Sequence, residues 1–372
     1  MIKNNDSLVG IFEHMSLIAK KNNALNLSQG IPDNIYDDLW NKTISDLSMN
    51  TWQYQPSAGY SPLIQKLLSS FFSNAFDDAI ITSGCTEALL CALYAWSENG
   101  YRDLVVMEPF YSYYPGLAKL AHLNFVPILM QKYAEQLIID WSTLKRVINA
   151  KSIVLINTPH NPSGTVFTAD DWQQLWLIQE VTGCAILIDD VYRHFNFTNE
   201  LTPYASMSQR NILIAGSVSK SFAATGARVG WLVGEKRLLK RALIAHQHMS
   251  NCQPELLQKA SLALIQMVPF SKLDSVSQTY HKRATRLGEA LSQAGFNLIT
   301  ANGGHFIMAS HPKLAYQPLI EQAIFFTLNF GITPLPLNDF FHNKDTHWLR
   351  FSFALSDSTI DSACQRLMFS HL

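Results

Sequence analysis

The feature that most constrains this chain is a rhythm in which short aliphatic and β-branched runs recur with amphipathic stretches between them. Seven runs read as strands: 79–82 (AIIT), 104–107 (LVVM), 124–129 (NFVPIL), 152–157 (SIVLIN), 184–189 (CAILID), 211–217 (NILIAGS) and 229–234 (VGWLVG). Helix-like stretches lie between several of them, at 86–98, 168–183 and 235–249. The second opens on Thr168, an N-cap residue, with Asp170 and Asp171 in its first turn to complement the dipole. Alternation of this kind predicts an α/β layer structure around a mostly parallel sheet.

Beyond residue 255 the pattern changes to long helical stretches at 256–268 and 279–295, then strand-like pieces NLIT, HFIMA, GITPLP and HWLRFSFA. With 372 residues there is room for two domains. The expected division is 1–45 as an N-terminal arm with part of a small domain, 46–255 as the large domain and 256–372 as the C-terminal small domain. One short helix is expected in the arm, around IFEHMSLIAKK.

Apolar residues make up 48% and charged residues 15%, which supports a sizeable core. A formal net charge of -1 offers no excess of cations to neutralise a phosphate backbone, which argues against nucleic-acid binding. The first residues lack the apolar run of a signal peptide, and no apolar stretch approaches the ~20 residues of a membrane span. Five scattered cysteines (Cys85, Cys91, Cys184, Cys252, Cys364) suit a reducing compartment better than a disulfide framework. A cytoplasmic protein is the expectation. His246, His248 and Cys252 could suggest a metal, but residues two apart on a helix do not share a face, and a solvated helix surface is expected there.

In a doubly wound sheet, ligands gather at the carboxyl ends of the strands. AIIT is followed by Ser83-Gly84-Cys85-Thr86 opening a helix, either an anion site or an ordinary cap. LVVM is followed by Glu108-Pro109-Phe110-Tyr111, where Tyr111 could stack on a flat cofactor or pack into the core. SIVLIN leads to Thr158-Pro159-His160-Asn161-Pro162-Ser163-Gly164, a tight turn able to aim the Asn161 amide across the strand ends.

CAILI leads to Asp189, Asp190, Val191 and Tyr192. Asp189 at the mouth of an apolar strand needs a partner, which could be a protonated ring nitrogen, an arginine or a helix start. NILIAG leads to Ser217-Val218-Ser219-Lys220 and on to Arg228. Lys220 is a candidate imine-forming amine whose pKa a nearby cation would lower, while Ser217 and Arg228 could both hold a phosphate. In WLRF, Arg350 stands in an apolar run and calls for an anion, either a substrate carboxylate or a structural carboxylate.

Each signal is ambiguous alone, but their order and spacing are not. The chain resembles the class I/II aminotransferases of pyridoxal-phosphate (PLP) fold type I. The resemblance rests on LSQGIPD (27–33), YQPSAGY (54–60), TSGCTEAL, EPFY, NTPHNPSG, IDDVY, SVSK with SFAATGAR, VGW and LRFSFA. LNLSQGIPD and NTPHNPSGTV make it most similar to the methionine and kynurenine (glutamine-type) branch. It implies a large domain with a mostly parallel seven-stranded sheet flanked by helices, plus a smaller α+β domain. It also implies PLP as cofactor, with Lys220 as the Schiff-base lysine and Asp189 as partner of the pyridine nitrogen. Asn161 and Tyr192 would donate to the ring 3-oxygen, and Tyr111 would stack on the ring.

Cys85, Thr86, Ser217 and Arg228 would bind the phosphate. Tyr54 would reach the phosphate of a neighbouring subunit, which implies a homodimer. Gly30, Asn161 and Arg350 would hold the substrate carboxylate, with Lys220, Asp189 and Tyr192 as the catalytic set. Asp190 stands where the family has Glu, Cys85-Thr86 is an unusual pair, and His305 in GGHF replaces a frequent Tyr or Phe. Phe12, Trp52, Tyr54 and Tyr111 are candidates for an apolar substrate pocket. The implied reaction is transfer of an amino group from a methionine-like, aromatic or kynurenine-like amino acid to a 2-oxo acid. A PLP-dependent carbon–sulfur β-lyase, which shares almost every residue named, is the rival. Ser217 to Lys220 also reads as S-x-x-K of an acyl-enzyme hydrolase, but the chain has no K-T-G partner motif.

Overall fold

A computed structural model describes residues 10–47, 53–207, 210–344 and 346–368. All seven expected runs are strands of one sheet: β1 (Asp78–Thr82), β2 (Asp103–Glu108), β3 (Asn124–Leu129), β4 (Ser152–Asn157), β5 (Ala185–Asp189), β6 (Ile212–Ser217) and β7 (Gly230–Gly234). Their order across the sheet is β1-β7-β6-β5-β4-β2-β3. Every pairing is parallel except the two made by β7, which is antiparallel to both β1 and β6.

The period of two along each strand divides the apolar residues between two cores. Val105, Val154, Ile156, Ile186, Ile188, Ile214 and Val233 face one side. Leu104, Val106, Ile153, Leu155, Leu187, Leu213 and Leu232 face the other. Helix α1 is Ile11–Lys21, as expected in the arm, and α2 (Gly84–Ser97) packs Leu89, Ala92 and Trp96 on the second side. Helix α3 (Ala169–Thr182) covers the first side with Trp172, Leu175 and Ile178. Its N-terminus is a full capping box, Thr168 and Asp171 bonding each other's backbone N–H. Helix α4 (Lys236–Met249) lies beside α2.

After α4 come Glu255–Met267 and α5 (Phe270–Gln293). The latter starts nine residues before the sequence expectation, with Pro269 at its N-cap. Ser61–Phe72 and Leu319–Phe330 are also helical. Ser61–Phe72 is amphipathic, burying Leu63, Leu67 and Phe71 while Gln65 and Ser69 stay exposed, whereas Leu319–Phe330 is more uniformly apolar.

The last strands, β8 (Asn297–Ile299), β9 (Phe306–Ser310), β10 (Leu335–Pro336) and β11 (Leu349–Ser352), form an antiparallel sheet in the order β8-β9-β11-β10. Leu25–Asn26 pairs in parallel with Ile332–Thr333, and Ser352 N–H donates to Leu27 O at 2.8 Å. The arm is thereby stitched along β11, which carries Gly30 to the side of Arg350. Arg283 and the Tyr280 hydroxyl pin Asp33 just beyond, at 3.0 and 2.9 Å.

Candidate active site

At the carboxyl ends of the parallel strands lies a cavity of about 330 Å³. The sequence-predicted Gly30, Cys85, Thr86, Tyr111, Asn161, Asp189, Tyr192, Ser217, Lys220, Arg228 and Arg350 all line it. Tyr54 does not: it is 84% exposed and borders a separate groove with Gln53 and Glu255. Trp52 lies outside the described residues.

Lys220 sits in the short helix Val218–Ser221 that follows β6, and Ser217 caps that helix by accepting from Ser219 N–H at 3.3 Å. The Lys220 ammonium donates to Gly30 O at 2.7 Å. Its pKa is pushed down to about 8, by burial first, then by Arg350 and Arg228, with Asp189 opposing. The sequence reading looked to a neighbouring cation for this effect, yet desolvation dominates and Arg350 outweighs Arg228. The neutral, nucleophilic form of the amine is thus far more accessible near neutral pH than for an ordinary lysine.

Asp189 ends β5, and among the described residues it makes no ion pair with an arginine. Tyr114 donates to its Oδ2 at 2.7 Å, and the Cys85 thiol to its Oδ1 at 3.4 Å. Burial raises its pKa, while these donors, Val191 N–H and the Lys220 charge pull the other way. A buried acid of this kind suits a cationic partner arriving in the cavity. Asp190, one residue on, points elsewhere and pairs with Arg193 at 3.1 Å and with the Tyr204 hydroxyl at 2.8 Å.

Arg350 is fully buried on β11 and, among the described residues, has no carboxylate partner. Instead Nη1 donates to Asn161 Oδ1 at 3.0 Å and Nη2 to Ser28 O at 2.8 Å, while Nε has no acceptor. The Phe306 ring lies 3.7 Å from the guanidinium carbon. Burial depresses its pKa to about 10. Neutral acceptors fix the fork in place without cancelling its charge, which leaves it free for an incoming anion.

The start of α2 forms an anion cup. There the Cys85 thiol turns to Asp189, which leaves the Cys85 backbone N–H for an anion. Arg228 reaches over this helix start, Nη2 donating to Ser83 O at 3.3 Å. Gly230 passes so close beneath that a Cβ there would strike the Gly84 carbonyl, which is why β7 begins with glycine.

Sequence reasoning also missed residues. Tyr114 gives no local signal, because its partner Asp189 is 75 positions away. Asn157 donates to Asp189 O at 3.0 Å and accepts Asn161 N–H at 2.7 Å, tying two strand ends together. Ile31, Leu89, Tyr113 and Phe306 add apolar wall beside Phe12 and Tyr111. His246 is buried rather than solvated, because Glu87 on α2 meets it at 3.0 Å. His248, two residues on, is exposed. His305 is buried against Phe195, Tyr192 and Tyr280.

The residues present fit PLP: a helix start with Arg228 for a phosphate, a buried amine of lowered pKa for an aldehyde, and a buried acid for a ring nitrogen. The sequence pattern of the family described as "Aminotransferase class I and II" matches residues 22–367. The probable N-succinyldiaminopimelate aminotransferase of Mycobacterium tuberculosis is 26% identical, the match covering 96% of this chain and 95% of that protein. The methionine aminotransferase of Escherichia coli is 27% identical over the same shares of the two chains. Among solved structures, the M. tuberculosis N-succinyldiaminopimelate aminotransferase superposes with a TM-score of 0.87 at 24% identity, covering 97% of each chain. An aspartate aminotransferase of Thermus thermophilus gives 0.86 at 19%, covering 98% of this chain and 97% of its own. Relatives at this distance do not resolve the substrate, but they agree on the chemistry. This chain belongs to the class I and II aminotransferases and is a PLP-dependent enzyme of fold type I.

Proposed function

We propose that the enzyme moves the α-amino group of a methionine-like or aromatic amino acid, kynurenine included, to a 2-oxo acid. The observation that carries this reading is the distribution of charge in the cavity. Its cations are Lys220, Arg228 and Arg350. One is needed for the cofactor aldehyde, one for its phosphate and one for the substrate α-carboxylate. Among the described residues none is left over for an acidic side chain, and beside the polar Gln29 the lining includes an apolar wall of Phe12, Ile31, Leu89, Tyr111, Tyr113 and Phe306. Burying an unpaired carboxylate against that wall would be costly, whereas a thioether or a ring gains from it.

When bound, PLP supplies the electron sink for the carbanion at the substrate Cα. Arg350 and the Gly30 backbone hold the α-carboxylate and so orient the Cα–H bond. With PLP bound, the Lys220 amine would serve as the general base that takes the substrate Cα proton and as the general acid that delivers it to the cofactor carbon bearing the amino group. Asp189 would keep the ring nitrogen protonated by opposite charge, and Asn161 and Tyr192 would donate to the ring 3-oxygen. Tyr111 stacks on the ring, while Thr86, Ser217, Arg228 and the Cys85 backbone hold the phosphate.

Tyr54, exposed and outside its own cavity, supports a homodimer in which it reaches the neighbouring phosphate. The division at 45 and 255 and a cytoplasmic location belong to the same proposal. All five cysteines are free, and among the described residues no helix is long and apolar enough to cross a membrane. The test is a panel of amino acids scored for conversion of the cofactor to its amine form and for oxo-acid product. Methionine, phenylalanine and kynurenine should exceed aspartate, glutamate and N-succinyldiaminopimelate. Preference for an acidic donor would overturn the reading, and ammonia with pyruvate from cystathionine as the main products would favour the β-lyase.

A further inference from the structure

We propose that Tyr114 and Cys85 are positioning residues that act through Asp189, holding its carboxylate in place so that the ring nitrogen of the bound cofactor keeps its proton. This rests on the role given to Asp189 above and adds two residues to it. Tyr114 is buried, and its hydroxyl donates to Oδ2 at 2.7 Å. The Cys85 thiol donates to Oδ1 at 3.4 Å, and Val191 N–H shares that oxygen at 3.3 Å. Each oxygen is therefore fixed from the side, and the carboxylate cannot swing.

The physical need is plain. Asp189 is a buried acid that has no arginine partner among the described residues, so burial favours its neutral form, and a neutral acid gives a ring nitrogen no charge to pair with. Donors to the ionised form restore the charge, and a hydroxyl–carboxylate bond is among the stronger ones. The Tyr114 ring also packs edge-on under Tyr111 at 5.6 Å, so one side chain supports both the acid and the stacking residue. Cys85 can serve both groups, its side chain toward the acid and its backbone N–H toward the phosphate.

Tyr114→Phe keeps the ring and its packing and removes only the hydroxyl. With 15N-labelled PLP bound and no substrate present, the parent should show a protonated ring nitrogen and Tyr114→Phe a shift toward the neutral value. Its kcat should fall about 10- to 100-fold with KM within about threefold, the scale of one hydrogen bond to a charged group. Cys85→Ala should move both readouts in the same direction by less, and Cys85→Ser, which restores a hydroxyl donor, should move them less than Cys85→Ala. Cys85→Ala also stands in should Tyr114→Phe fail to fold. Asp189→Asn is the reference. If it moves the 15N shift while Tyr114→Phe and Cys85→Ala leave shift and kcat within twofold of the parent, the positioning role is wrong and that of Asp189 stands. If Asp189→Asn leaves the shift unmoved, the role of Asp189 itself fails and the positioning role with it.

Discussion

Replacing Arg350 by methionine separates catalysis from folding. The guanidinium should make two charge-assisted hydrogen bonds to the substrate carboxylate, each contributing about 1.5–3 kcal/mol. Losing both removes about 3–6 kcal/mol, or roughly 10²- to 10⁴-fold in kcat/KM. The folded chain should feel much less. Methionine relieves the cost of a buried cation that has no counter-charge, several kcal/mol in scale. It also strands Asn161 Oδ1 and Ser28 O, at about 1–3 kcal/mol each. The terms offset, so the melting temperature of the cofactor-free protein should move by only a few degrees, at about 2–4 °C or less per kcal/mol for a chain this long.

The assay is turnover of methionine against its decarboxylated amine, 3-(methylthio)propylamine, in both proteins. The parent should prefer methionine by the same large factor that the substitution costs, and Arg350→Met should show almost no preference. If the variant still favours methionine as strongly as the parent does, the carboxylate is held elsewhere and the cavity has been misread.

Three further outcomes follow from the same geometry. The rate at which apoenzyme takes up PLP should climb with pH until about 8, where the Lys220 amine becomes neutral, and level off above. The folded-state pKa lies below the ordinary lysine value, so between the two the unfolded chain binds more protons and stability rises with pH, a rise that Lys220→Met should abolish in thermal melts. Asp190→Asn should cost about 3–5 kcal/mol by leaving Arg193 buried without its carboxylate, seen as a lower melting temperature with an unchanged cofactor spectrum. Tyr54→Phe should hasten PLP dissociation about tenfold, the scale of one hydrogen bond to a phosphate, without altering the monomer's melt; unchanged dissociation would deny the inter-subunit contact.

Much of this was legible in the sequence for one physical reason. A strand buried on both faces must be an apolar run, and whatever polar residue follows it stands at the sheet's edge, where the cavity forms. That logic found Asp189 after CAILI, Asn161 after SIVLIN and Lys220 after NILIAG. It does not reach contacts decided by packing across distant segments. Tyr114 reads as one tyrosine of a pair in SYYPG until Asp189 is seen beneath it, and His246 reads as surface until Glu87 is seen facing it from α2. The direction of the Cys85 side chain is a rotamer, which no spacing encodes. Apolar wall such as Tyr113 and Leu89 looks like any other core residue.

Chemical trapping of the cofactor tests the central claim most directly. Borohydride added to the protein loaded with PLP, followed by proteolysis and mass spectrometry, should place a phosphopyridoxyl group on the peptide containing Lys220 and on no other lysine. A modified lysine elsewhere, or an unmodified Lys220 in protein that retains stoichiometric cofactor, would contradict it.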